Sequence, residues 1–325
     1  MPAAMMKAVR MHAFGDPEVL RYEEVPRPEP GPGEVLIRVH AAGLNPPDWY
    51  ARRGFTNIPE AMRPTLRLPF TPGSDVSGVV IALGPEVTWL AEGDAVFGLV
   101  RFPVLNNGGR GYAEYTTSPA AHLARKPAGV EHVHAAGVPM AGLTAYQYLF
   151  DHVRLEKEKT VLVNGAAGGV GHFLVQLAKT RGARVIGVAS GRHEMFLRSL
   201  GVDEFIDYTS TAIEAAASDV DHVFDTVGGP HGHQLLGVLK RGGTLSPVFL
   251  GEYHRERAAA RGITFLGGQV HSDGAQMAEL AQLLDVGRVR VGVDSIFPLA
   301  DAEKAHERAE RGHIQGKIVL RVAGD

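Results

Sequence analysis

The sequence predicts an α/β chain of two units, a β-rich one and a parallel sheet flanked by helices. Three observations lead there. The 325 residues suffice for about two domains. Up to about residue 127, short apolar runs are separated by Gly and Pro clusters at the spacing of an all-β unit. From about residue 128, apolar runs alternate with segments of helical period.

Taken in order, Val35–Val39 has strand composition and follows the turn-rich stretch Pro26–Gly33. Val76–Leu83, interrupted by Gly78, Ala95–Val100 and Tyr112–Thr117 are the next strands. Between the first two, Asn57–Pro72 carries four prolines and reads as a long loop, a feature more often functional than accidental. Val161–Val163 then opens the second unit. Val170, Phe173, Leu174 and Leu177 recur at helical spacing up to Gly182. Strands follow at Arg184–Val188, Phe205–Tyr208, His222–Asp225, Gly243–Leu245 and Ile263–Leu266. Helices are expected over Glu194–Leu200 and Gly274–Leu284, and Ile318–Val322 is a last strand placed to rejoin the first unit.

Composition narrows the function. Lys plus Arg total 33 and Asp plus Glu 36, a net charge of −3, so there is no global attraction to nucleic acid or an anionic membrane. Cysteine is absent, which excludes disulfides, a thiolate nucleophile and cysteine-ligated zinc. No signal peptide and no run of about 18 apolar residues is visible, so no membrane span and a cytoplasmic location are expected.

The most informative stretch is Thr160 to Gly171, where a strand runs into a Gly-rich turn and then a helix. Ala167, Gly168, Gly169 and Val170 would let the backbone approach a pyrophosphate, and the helix start offers free N–H groups and a positive dipole end. Gly171 would let helix and strand pack closely. The spacing fits a dinucleotide fingerprint, with Ala166 where its first Gly usually stands. The next strand ends in Ala189-Ser190-Gly191-Arg192-His193, with no carboxylate before Glu194. An acidic residue there would hold the ribose of NAD, whereas Ser190 and Arg192 suit a 2′-phosphate. NADPH is therefore the expected cofactor.

At this point the chain resembles a known family, the zinc-independent quinone oxidoreductase branch of the medium-chain dehydrogenase/reductases. The matching segments include Pro32–Leu36, Gly43–Asp48, Pro72–Gly78, Gly93–Val96, Gly111–Tyr115, Ala141–Ala145, Ala166–Gly171, Phe224–Gly229 and Gly316–Leu320. The resemblance implies a GroES-like β-rich catalytic domain over 1–127 and 268–325 and a Rossmann domain, a doubly wound parallel sheet, over 128–267. It implies a cleft between them with nicotinamide at its base, and a homodimer joined near Ile263–Leu266.

Roles follow by resemblance. Asn45 stands where zinc-dependent relatives have a metal-binding Cys, and Asp75 lies where they carry a His-Glu pair, so no metal is expected. Asn45, Asp48 and Tyr50 resemble residues that shape the catalytic end. Thr144 and Phe249 resemble neighbours of the nicotinamide. Ser190, Arg192, His193 and Tyr208 match positions that handle the adenosine phosphate, and Lys317 resembles a C-terminal basic residue near the cofactor. In enoyl-thioester reductases a Tyr stands where this chain has Thr56. Arg52, Arg53, Arg63 and Arg67 flank the long loop and would meet a charged substrate or solvent.

Without a metal, alcohol oxidation lacks a Lewis acid, whereas a conjugated carbonyl spreads developing charge by itself. The expected reaction is NADPH-dependent hydride transfer to a small-molecule quinone or α,β-unsaturated carbonyl, with Asn45 or Tyr50 at the developing oxyanion. Two rivals stand beside it: a double-bond reductase tailoring one large biosynthetic substrate, and an NADPH-binding sensor with little turnover.

Overall fold

The computed structural model describes residues 4–101 and 110–323. Met5–Met11 (β1) and Leu20–Pro26 (β2) form an antiparallel hairpin that bridges to Ala113 and Phe70. Glu34–Leu44 (β3) is the spine of a seven-stranded sheet and leads into Pro46–Arg52 (α1). Two prolines are tolerated at the start of α1 because first-turn N–H groups have no partner within the helix. Asp75–Leu83 (β4) pairs with β3 and carries Ala95–Leu99 (β5). Tyr115–Pro119 (β6) joins β3, and Leu123–Arg125 (β7) joins β5.

His132–Ala135 (α2) and Pro139–Tyr146 (α3) lead to the second sheet. Thr160–Asn164 (β8), Gly169–Thr180 (α4), Arg184–Ala189 (β9), Glu194–Ser199 (α5), Glu204–Asp207 (β10), Ile213–Ala216 (α6) and Val220–Asp225 (β11) alternate as the sequence predicts. Leu239–Pro247 (β12), Arg255–Ala260 (α7) and Thr264–Phe265 (β13) complete it. Its strands are all parallel, in the order β10-β9-β8-β11-β12-β13. Strand order reverses between β8 and β11, the place where open α/β sheets keep their ligand crevice.

Side chains alternate across this sheet. Val161, Val163 and Val185 enter the core shared with α3 and α4, while Leu162, Ile186 and Val188 enter the core under Leu235, Leu239 and Ala258. Both faces are covered, which is why these strands read as continuous apolar runs rather than alternating ones. Gly274–Asp285 (α8) lies against β7 and α3 and buries Met277, Leu280 and Leu284 in the α3/α4 core. Val293–Pro298 (β14), Ala302–Glu310 (α9) and Lys317–Arg321 (β15) return to the first sheet, where β15 pairs antiparallel with β3. That return carries Lys317 back beside the residues that follow β3.

Candidate active site

A cleft of about 1320 Å³ opens where β8 and β11 diverge. One wall is Asn164, Gly165, Ala167–Val170 and Thr226–Gly229, the segments that leave β8 and β11. The other is Asn45, Trp49 and Tyr50 around α1, with Phe55, Ile58, Met62 and Pro64 from the long loop. The loop thus forms part of the pocket, as its length suggested.

The glycine turn is built as the fingerprint requires, with one shift. The sharp bend falls on Gly165, whose φ is +76° and whose missing Cβ would meet Thr226 Oγ1 at 2.4 Å. Ala166 is therefore free to be an alanine, and it is fully buried. A Cβ on Gly171 would stand 2.2 Å from the Gly165 carbonyl oxygen, so this residue permits close packing without itself lining the cleft. Gly168 caps α4, and Gly169 and Val170 present its first turn to the cavity. Opposite, Asp225 fixes the facing loop. It accepts from Asn164 Nδ2 at 2.9 Å, from the N–H groups of Val227 and Gly228, and from the Tyr253 hydroxyl at 2.9 Å. This cradle of bare backbone at a helix N-terminus fits the pyrophosphate of a nicotinamide dinucleotide.

At the end of the cleft beside β9 and β10, Ser190, His193 and Tyr208, which the resemblance assigns to the adenosine phosphate, line the cavity. His193 is held by Gln315 through Nδ1 at 3.0 Å. Arg192 departs from expectation. Its exposed side chain donates to the His313 carbonyl at 3.0 Å, in the segment after α9, and to His193 Nε2, and it does not line the cavity. Arg311 and His313 of that segment line the cleft instead. Nothing in the sequence singles out Arg311, because α9, which places it, buries only Ala302, Ala305, His306 and Ala309 and so leaves no clear apolar stripe.

Around Asn45, three buried side chains form one network. Asn45 Nδ2 donates to Asp75 Oδ2 at 2.9 Å, and Lys317 Nζ donates to Asn45 Oδ1 and, at 3.0 Å, to the Leu44 carbonyl. Asp75 Oδ1 accepts from the Met140 N–H at 2.9 Å. Burial pushes the Asp75 carboxyl up to about 6 against the pull of Lys317, and the same burial pushes the Lys317 ammonium down. Asn45 and Lys317 line the cleft; Asp75 stands behind them.

Asp48 corrects an expectation. Read as catalytic from the resemblance, it is fully buried and does not line the cleft. It accepts from the N–H groups of Asn45 at 2.9 Å and Gly73 at 3.0 Å, and from Tyr112. The third residue of α1 points back at its own cap, so geometry makes Asp48 a backbone brace. Burial raises its carboxyl to about 7. Tyr50 does reach the cleft, its ring 5.5 Å from Phe249 across it, and burial raises its hydroxyl above the usual tyrosine value. Thr144 also lines the cavity, its hydroxyl tied to the Met140 carbonyl at 2.7 Å. None of the four arginines of the loop region lines the cleft, and Arg67 is exposed. Arg52 is fully buried against Glu310 and the Gly15 carbonyl, Arg53 pairs with Glu310, and Arg63 bonds the Ile58 carbonyl.

Among the described residues no three metal-ligating side chains gather, and the Lys317 ammonium sits against Asn45, 4.0 Å from the Asp75 carboxylate.

The comparisons agree with the fold. Residues 31–128 match the alcohol dehydrogenase GroES-like domain, and residues 200–320 match the family described as zinc-binding dehydrogenase. The chain is similar to a chloroplastic quinone oxidoreductase of Triphysaria versicolor, 31% identical over 98% of this chain and 99% of that one. It is 34% identical to a 2-methylene-furan-3-one reductase of Solanum lycopersicum, over 97% of this chain and 79% of that one. The solved quinone oxidoreductase of Coxiella burnetii superposes with a TM-score of 0.88 at 34% identity, covering 98% of this chain and all of that one. With its GroES-like and parallel-sheet halves, its glycine cradle and these relatives, the chain belongs to the quinone oxidoreductases of the medium-chain dehydrogenase/reductase superfamily and is a nicotinamide-dependent oxidoreductase.

Proposed function

We propose that the chain reduces a quinone or an α,β-unsaturated carbonyl with NADPH, and does so without zinc. The observation that carries this reading is the continuity of the cleft: the glycine cradle and the Asn45–Tyr50–Phe249 end line one cavity. A bound nicotinamide supplies the hydride. Asn45 and Tyr50 offer N–H and O–H donors where the acceptor oxygen gains charge. Tyr50 stays protonated at neutral pH because burial raises its pKa, so it is a proton source rather than a base. Trp49, Phe55, Ile58, Met62 and Pro64 supply an apolar wall that excludes water, and none of Arg52, Arg53, Arg63 and Arg67 lines it.

The preference for NADPH rests on Ser190, His193 and Tyr208 at the end of β9 and β10, with Arg311 added from the opposite wall. Homodimerisation through β13 is part of the same reading, since among the described residues β13 pairs with β12 alone and leaves an open edge. The test is steady-state turnover of chelator-treated protein against a simple quinone and a simple enone, with NADPH and with NADH. Turnover with NADPH at kcat/KM about tenfold or more above NADH supports the reading. Equal use of both cofactors removes the phosphate site, and activity that needs added zinc removes the metal-free chemistry.

A further inference from the structure

The Asn45 side chain is held from two sides by groups of opposite hydrogen-bonding character. An amide side chain has one accepting oxygen and two N–H donors. Here the oxygen is occupied by the Lys317 ammonium, which can only donate. One N–H is taken by Asp75 Oδ2 at 2.9 Å. Turning the amide over would set the ammonium against an NH2 group and the carboxylate oxygen against the carbonyl. Both contacts would be repulsive, in a place where Asn45, Asp75 and Lys317 are each at most 4% exposed.

Each clamp is itself fixed by another element. Asp75, at the start of β4, receives the Met140 N–H at the start of α3. Lys317, at the start of β15, also bonds the Leu44 carbonyl, and its stem lies over the first turn of α4, where a Cβ on Gly169 would stand 3.3 Å from Lys317 Cδ. One Asn45 N–H remains with no acceptor among the described residues, and Asn45 lines the cleft.

We infer that Lys317 and Asp75 are positioning residues that lock the Asn45 amide so that it shows the cleft an N–H donor and never its carbonyl. The lock gives the site a direction. A carbonyl oxygen on the acceptor is received and its growing negative charge is stabilised. A hydroxyl proton meets no acceptor at this point, so the site favours carbonyl-containing acceptors and disfavours alcohol oxidation. This rests on the reductase reading above, but the lock itself can be read without turnover.

The test uses the full chain and the variants Asn45→Ala, Lys317→Met and the double variant, with Lys317→Gln as a second probe should Lys317→Met not fold. The Asn45 side-chain amide is assigned in ¹⁵N spectra by its loss in Asn45→Ala. Two well-separated amide protons, one slow to exchange, are expected in the parent, with merging or fast exchange in the Lys317 variant. An unchanged pair in the Lys317 variant overturns the inference. In turnover, Asn45→Ala is expected to lower kcat about a hundredfold and Lys317→Met about tenfold, with the double variant no worse than Asn45→Ala. Losses that multiply in the double variant, or a Lys317→Met effect confined to the KM for NADPH, also overturn it. If the parent turns over no acceptor, the reductase reading fails and the amide spectra alone decide the lock.

Discussion

Asn45 and Asp48 lie three residues apart and have opposite fates. Asn45 precedes a helix and so reads as a cap, yet its side chain leaves the helix for Asp75 and Lys317. Asp48 does the local bonding instead. The sequence shows that both are polar and near a turn. It cannot show which one faces the cavity, because the deciding partners are 30 and 272 residues away from Asn45. Replacing Asp48 with Ala leaves the Asn45 and Gly73 N–H groups and the Tyr112 hydroxyl without their acceptor. A stability loss of about 3 kcal/mol is expected in denaturant titration, with the variant folded at low temperature. A loss below about 0.5 kcal/mol would show that Asp48 is not a brace. Tyr50→Phe tests the proton source. It should lower kcat about a hundredfold while NADPH binding stays within threefold, and an unchanged kcat would move the proton to water.

Among the elements, α4 and the parallel strands were the most legible, because a helix with one buried face leaves a clear period and strands buried on both sides leave short continuous apolar runs bounded by turns. Other elements hid for physical reasons. All eight residues of α3 are buried, so it has no polar face to set a stripe. The buried face of α9 is Ala302, Ala305, His306 and Ala309, too weakly apolar to register against its charges. Gly171→Ala should cost about 2 kcal/mol or more and weaken cofactor binding, since the new methyl would overlap the Gly165 carbonyl. A variant with parental stability would mean the turn can shift. His306 makes α9 acid-sensitive. It is fully buried with neither ring nitrogen hydrogen-bonded among the described residues, and burial, with Arg52 beside it, drops its pKa from 6.5 to about 3. The native state keeps it neutral while the unfolded chain takes a proton. Its contribution is therefore whole above pH 6.5 and is lost towards pH 3, at about 1.4 kcal/mol per pH unit. His306→Leu should remove that slope, read by melts between pH 7 and 4, whereas parallel pH profiles would show that the group titrates normally.

Across the whole molecule, the chain closes on itself at the site. β15 pairs with β3, the Gly316 N–H bonds the Ala167 carbonyl at 2.8 Å, and Lys317 reaches the cap of α1. One short segment thus ties the first sheet to the glycine turn of the second. The return of the last strand to the first unit could be anticipated from its composition and from the resemblance, but the bonds that make the junction, Gly316 to Ala167 and Lys317 to Asn45, could not, because no local period marks a contact between distant parts of a chain. The same limit explains Arg192, whose place depends on the segment after α9. We propose that the cleft brings a reduced nicotinamide against a carbonyl-bearing acceptor held at Asn45 and Tyr50. This is tested by the fate of the label when chelator-treated protein reduces an enone with NADPH deuterated at the transferable C4 position. Deuterium is expected on the β-carbon of the product and a solvent-derived proton on the α-carbon, with NADP⁺ formed in equal amount. Product without the label, or NADPH consumed with no reduced enone, would contradict it.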